Sequence, residues 1–338
     1  YRFSVTGDDG VRLYVDGRLV IDSWFARMAN RDDAVLNIPS GTHQLRVQFF
    51  QATGLAQLWL QLAPAAGAEL TSLPVMGGSG RLKRQPKAGW SQVEAALAAE
   101  IQSKPFASRP LINRATFLAL NGRFEESARD FAGAVKLDPA DHLAWTKGAA
   151  VALHAGNVDG YRRQCAEMVR RFGTSTDPTT CGRVVRACTF MPDSVPDLKP
   201  VMAMADRAVA PDDKGPPSGD VLAWTMMAKG MAEYRAGRFA SAAQWLRKGL
   251  ATQDRCRDPI EYFFLSMAEY RRGRVAEAEA ALAKGTEVLE HDDEHSDGLL
   301  SCFDNWIIAL HVREEAAKLL GHPVPPATQP HDATMPEA

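Results

Sequence analysis

The 338-residue chain has no charge bias: 39 basic side chains stand against 41 acidic ones, a net charge of -2. Without a positive field there is nothing to track phosphates, so nucleic acid and anionic membranes are disfavoured as partners. No apolar run reaches the roughly 18 residues that a membrane-spanning helix needs, so this stretch holds no such helix. Cysteine is scarce. The five (Cys165, Cys181, Cys188, Cys256 and Cys302) are odd in number and irregularly spaced, which fits neither a disulfide framework nor a Cys-x-x-Cys zinc site. They read as small buried apolar residues. Cys181 and Cys188, seven apart, share a helix face but lie about 10 Å from one another along its axis, too far to bridge.

Catalytic signatures are missing too. There is no Gly-rich kinase loop, no His-Arg-Asp, no Asp-Phe-Gly and no Gly-x-Ser-x-Gly elbow. The run Gly77-Gly78-Ser79-Gly80 is followed by Arg81 where a phosphate loop needs Lys and then Ser or Thr, so it reads as linker. The string His291-Asp292-Asp293-Glu294-His295 matches the His-x-x-Glu-His pattern of one zinc-peptidase class. Its acidic, inter-helix setting near the end of the chain favours a solvated loop, with Asp297 capping the helix that follows. The expectation is a non-catalytic chain that needs no cofactor.

What is present is a repeat. Gly122, Ser127 and Phe131 recur as Gly237, Ala242 and Leu246, and again as Gly273, Ala278 and Leu282. A period of 34 to 36 residues is the mark of stacked helical hairpins. The glycine makes the turn, the small residue allows close approach, and the bulky one fills the gap one helical turn later. Ahead of this region, residues 1–62 read as short strands: Asp9-Gly10 and Asp16-Gly17 have hairpin-turn chemistry, and Val11 to Val15 alternate between them. The chain starts at Tyr1 inside an apparent strand, with no Met, which suggests a piece of a longer product.

The order Thr6-Gly7-Asp8-Asp9-Gly10-Val11-Arg12-Leu13-Tyr14-Val15-Asp16-Gly17, then Leu19 to Asp22 and Trp24, then Ile38 to Val47 and a last strand through Leu60, resembles the later half of a PA14 domain. The resemblance covers residues 1–74 and implies a partial β-sandwich. A truncated sandwich would leave Phe3, Phe49 and Phe50 exposed. It also implies an extracytoplasmic or cell-envelope setting. In lectin-like members, paired aspartates hold Ca²⁺ for a glycan, a place that Asp8 and Asp9 could take. Asp-Asp-Gly is equally a turn sequence in its own right.

Residues 75–89, rich in Pro and Gly, read as a flexible linker. From Trp90, Ala115, Leu118, Gly122, Phe124, Ser127, Phe131, Ala134 and Pro139 fall where a tetratricopeptide (TPR) repeat places its signature residues, and Trp145, Ala149 and Gly156 begin a second unit. That unit is degenerate, with Tyr161 and Cys165 where a small and a bulky apolar residue are usual. An irregular hairpin follows at 178–210, two regular units come next, and a helix at 298–320 is expected to cap the last hairpin. The fold class is thus a partial PA14-like β-sandwich, then an α-solenoid of TPR-type hairpins over residues 90–320, then a disordered tail at 321–338. The stretch from His154 to Arg163, with Arg171-Phe172-Gly173 and Asp177-Pro178, is similar to the region C-terminal to multi-domain bacterial Ser/Thr protein kinases.

In a TPR stack the first helix of each pair lines the groove. That places Met227, Met231, Tyr234, Phe263, Met267, Tyr270 and Arg271 as candidate contacts for a protein or peptide, with packing between hairpins as their other reading. The expected role is a protein-protein scaffold, the regulatory or sensor arm of a signalling protein such as a Ser/Thr kinase. Carbohydrate binding through the PA14-like module is the alternative.

Overall fold

A computed structural model describes residues 1–7, 10–24, 30–39, 41–50, 58–63, 71–72, 87–210, 219–252, 257–291 and 303–323. Asp8 and Asp9, the linker at 75–86, the side chains of His291 to His295, Cys256, Cys302 and the tail from 324 lie outside it. The chain divides into two compact units, Tyr1–Val93 and Glu94–Ala338.

The first unit is two antiparallel sheets. One has the order β4-β1-β6-β7, from Asn30–Val35, Arg2–Gly7, Leu58–Ala63 and Thr71–Ser72. The other has the order β3-β2-β5, from Arg18–Ser23, Gly10–Val15 and Leu45–Phe50. Period-two alternation sends Val11, Leu13 and Val15 of β2 inward, where they meet Phe3, Val5, Ile21 and Leu60. Two expectations are corrected. Phe3 is only 1% exposed, because the chain supplies both layers of its own small sandwich; Phe49 is partly buried against the same core, and the Phe50 side chain lies outside the described residues. The strands on either side of Asp8 and Asp9 do not pair with each other as a hairpin either, since β1 pairs with β4 and β6 while β2 pairs with β3 and β5. The second turn does: Asp16 and Gly17 have φ of 50° and 80°, as a two-residue turn of type I′ demands.

That turn is pinned by His43, whose Nδ1 lies 2.6 Å from Asp16 Oδ2 and whose Nε2 lies 2.9 Å from the Pro39 carbonyl. Both partners are acceptors, so the ring binds best doubly protonated, and its pKa is raised, chiefly by Asp16.

The second unit is helical. α1 (Lys87–Ser103) leads into five hairpins: α2–α3 (Ser108–Leu120, Phe124–Leu137), α4–α5 (His142–His154, Val158–Phe172), α6–α7 (Pro178–Ala187, Lys199–Val209), α8–α9 (Gly219–Arg235, Phe239–Leu250) and α10–α11 (Asp258–Arg271, Val275–His291). The repeat glycines carry the turns. Gly122, Gly156, Gly237 and Gly273 have φ between 74° and 77°. After each, the next amide donates to the carbonyl five residues back, as in Arg123 to Leu118 and Arg238 to Glu233, which closes a Schellman cap. Asp141, Asn157 and Asp177 cap α4, α5 and α6 with side-chain oxygens.

The signature positions fill the space between paired helices. Ser127 Oγ donates to the Ala115 carbonyl at 2.7 Å; in the last hairpin the roles are exchanged, and Ser266 Oγ donates to the Ala278 carbonyl at 2.8 Å. In the degenerate unit Tyr161 and Cys165 are both fully buried, and the Tyr161 hydroxyl donates to the Ala187 carbonyl at the end of α6.

The closing helix α12 (Phe303–Leu320) departs from expectation. It does not simply cap the last hairpin. It packs on α10 and α11 and reaches back to α4, and its side chains bond to α6 and α8. The physical reason lies in its composition: Phe303, Ile307, Ile308, Leu310, Val312 and Ala316 surround the helix instead of forming one stripe, and all are buried. Apolar residues on more than one side call for more than one neighbour, while the side that carries His311, Glu314, Glu315 and Lys318 is less deeply buried.

Candidate functional site

The first helices of the hairpins form one layer, in which α4 meets α6, α6 meets α8, and α8 meets α10. Five of the candidate contacts are interior. Met227, Met231, Phe263 and Met267 are 0% exposed and Tyr234 is 8% exposed, because these helices are covered by their own hairpin partners on one side and by neighbours on the other. Tyr270 is half-buried and Arg271 exposed, so these two remain at the surface.

What the layer does hold is α12, and it holds it through charged side chains that periodicity does not single out. Arg186 of α6 donates from Nη1 to Asn305 Oδ1 at 2.8 Å and from Nη2 to Asp304 Oδ2 at 3.1 Å. Both partners of the ion pair are almost fully enclosed, with side chains 7% and 4% exposed. The guanidinium also stands over the Trp224 ring, 5.2 Å from its centre. Arg235, at the end of α8, forks onto Glu315 at 2.5 and 2.7 Å, while its Nε and Nη2 donate to the carbonyls of Thr189 and Phe190, each at 3.0 Å. Phe303 stacks on Phe131 and lies under the Lys147 ammonium at 5.2 Å. Burial pulls that ammonium below the usual lysine range, against the opposing pull of Asp304.

A histidine pair closes the middle of the contact. His154 Nδ1, at the end of α4, lies 3.2 Å from His311 Nε2 of α12, and the His154 ring packs edge-on against Phe124 and Trp306. One neutral ring donates and the other accepts, a bond that two imidazolium ions cannot make. Burial, then the charge of His311, pushes His154 down to about 4; burial lowers His311 too, against Glu314, which raises it. Groups depressed in the folded state contribute stability that is complete above the ordinary histidine pKa and is lost as pH falls through the folded value. Between pH 6.5 and 5.5 the expected loss from His154 is about 0.5 kcal/mol, the full linkage value of about 1 kcal/mol being reduced by solvent screening. His43 has the opposite sign: its contribution is present below the ordinary value and lost as pH rises through the raised one. A single titration of ring carbons by NMR checks all three, with His43 expected above 6.5 and His154 and His311 below it. A common value near 6.5 for all of them would contradict the geometry.

Among the described residues no group of three or more His, Cys, Asp or Glu is placed to hold a metal ion, and no helix is long and apolar enough to cross a membrane. Cys165 and Cys188 are free and buried side by side, a neighbourhood across two helices that sequence spacing does not show.

No curated protein matches the chain. Among solved structures it is similar to PilW, a widely conserved type IV pilus biogenesis factor, at 19% identity and a TM-score of 0.40, over 63% of this chain and 86% of that one. It is similar to TTC0263, a thermophilic TPR protein in Thermus thermophilus, at 20% identity and a TM-score of 0.40, over 63% and 99%. It is also similar to YrrB, a TPR protein with an unusual peptide-binding site, at 13% identity and a TM-score of 0.34, over 60% and 96%. At such scores these likenesses carry no functional argument. Residues 1–69, the span that holds β1 to β6, match the family model described as PA14 domain.

Proposed function

We propose that the chain is a non-catalytic protein-binding scaffold whose working surface is the layer of first helices in the helical unit. The observation that carries the reading is that this layer already grips a helix through Arg186 and Arg235, side chains aimed away from their own hairpins. The resemblance of the stretch from His154 to Pro178 supports the narrower reading, a regulatory or sensor arm in a signalling protein such as a Ser/Thr kinase. The PA14 match supports an extracytoplasmic or cell-envelope setting. Crosslinking from a photoreactive residue at Tyr270, the half-buried candidate, tests the scaffold role in cells. One partner protein captured by the wild-type chain and lost with Arg235→Glu is the expected result. Equal capture by both chains would remove the layer from the function.

The second reading is Ca²⁺-dependent glycan binding through Asp8 and Asp9 of the β-module, with the helical unit as spacer. Calorimetry with Ca²⁺, followed by a glycan array, decides it: heat and a glycan signal that both vanish in Asp8→Asn/Asp9→Asn support it, and their absence from the parent chain ends it.

A further inference from the structure

We infer that α12 is the resident occupant of an exchangeable helix-binding groove, and that the partner enters with an amphipathic helix carrying carboxylates at both ends, spaced like Asp304 and Glu315. The inference rests on the scaffold reading and names the chemistry of its partner.

Three observations carry it. The first is that one receptor is built without α12. Arg235 is held by the carbonyls of Thr189 and Phe190, so its guanidinium keeps its position when Glu315 leaves, while Arg186, which gives both its hydrogen bonds to α12, is braced by the Trp224 ring of α8. Receptors organised in advance bind with less ordering cost, and a planar fork selects a carboxylate over a neutral group. The second is spacing. Eleven residues separate Asp304 from Glu315, close to three helical turns and about 16 Å, so both carboxylates fall on one face and span the distance from α6 to α8. The third is continuity: α4, α6, α8 and α10 contact one another directly, which leaves the layer intact as a surface when α12 is lifted away. The Nε of Arg186 is buried without a partner, so α12 leaves part of this receptor unused and a helix with a carboxylate set deeper could take it up.

The test uses the full chain and a fluorescein-labelled peptide of residues 303–320. Reversing Asp304→Lys and Glu315→Lys in the chain places like charges opposite Arg186 and Arg235 and loosens the resident helix. The reversed chain is expected to bind the wild-type peptide at least tenfold more tightly than the wild-type chain does. A peptide with the same two reversals is expected to bind the reversed chain at least tenfold more weakly than the wild-type peptide. Equal affinity of the two chains, or of the two peptides, overturns the inference. Dimers of the wild-type chain that dissociate on adding peptide would assign the groove to a second copy and overturn the partner assignment. Should the reversed chain fail to fold, hydrogen exchange on the wild-type chain decides: amides of 303–320 exchanging at least tenfold faster than those of α10 support a separately opening helix, and equal rates make α12 an integral part of the core. The scaffold reading fails separately. A peptide that enters the groove, with no partner lost on Arg235→Glu in cells, sinks that reading alone, while a captured partner that leaves bound peptide in place sinks only the exchange.

Discussion

Asp304→Ala is expected to lower the unfolding free energy by about 3–5 kcal/mol, the usual cost of orphaning one member of a buried ion pair. The size follows from what Arg186 cannot do. A buried lysine can shed its proton, but a guanidinium stays charged, and here its side chain is 7% exposed with Nε already lacking a partner. Asn305 Oδ1 remains as a neutral acceptor, which offsets only part of the loss. Glu315→Ala should cost less, about 1–2 kcal/mol, because Arg235 keeps its two backbone carbonyls and Glu315 is 29% exposed. Arg186→Met/Asp304→Leu should recover most of the Asp304→Ala loss, since replacing both charges removes the desolvation penalty with the attraction. Urea unfolding followed by circular dichroism measures all three variants. A loss under about 1 kcal/mol for Asp304→Ala would mean that water reaches the pair.

The hairpins are legible in the sequence because their determinants are local. A left-handed glycine, a small residue five later and a bulky one four beyond that all act within one helix pair, so a period of 34 to 36 residues reports them directly. The grip on α12 is not local. Arg186 and Asp304 are 118 residues apart, Arg235 and Glu315 80, and His154 and His311 157. Periodicity tells which face of a helix is apolar, not which distant element covers it. It placed Met231 and Met267 on first helices without distinguishing a groove wall from packing between hairpins. A usable signal did exist for α12: Phe303, Ile307, Ile308, Leu310 and Val312 spread too far round the helix for one stripe, so more than one neighbour must cover it. For the β-module, the alternation of Val11, Leu13 and Val15 was readable, but the assignment of β1 and β2 to different sheets was not. Alternation within a strand tells which of its faces is apolar, not which strands lie beside it.

Gly230→Val is the second substitution expected to have a large effect, about 3 kcal/mol or more, through crowding and not backbone strain. A Cβ at Gly230 would stand 2.6 Å from Leu246 Cγ and 2.8 Å from its Cδ2, with the Leu246 backbone nitrogen at 3.3 Å. Leu246 is fully buried and has no free volume to turn into, so α8 and α9 must separate. Gly230→Ala meets the same clash but gains about 1 kcal/mol of helix propensity, which brings its net cost to about 1–2 kcal/mol. Gly237, seven residues on, supplies the contrast. Its φ is 75° and a Cβ added there would meet nothing within 4 Å, so Gly237→Ala costs only the left-handed strain, about 1–2 kcal/mol, and Gly237→Asn less. The two classes separate in a double-mutant cycle: Leu246→Ala should partly relieve Gly230→Val and leave Gly237→Ala unchanged. The crowding also has a functional reach. Arg235 lies five residues beyond Gly230 on α8, so forcing α8 from α9 shifts its fork relative to Glu315. Hydrogen exchange at 303–320 should therefore rise in Gly230→Val and stay at its wild-type rate in Gly237→Asn, which ties a glycine chosen for close packing to the hold on the helix it never touches.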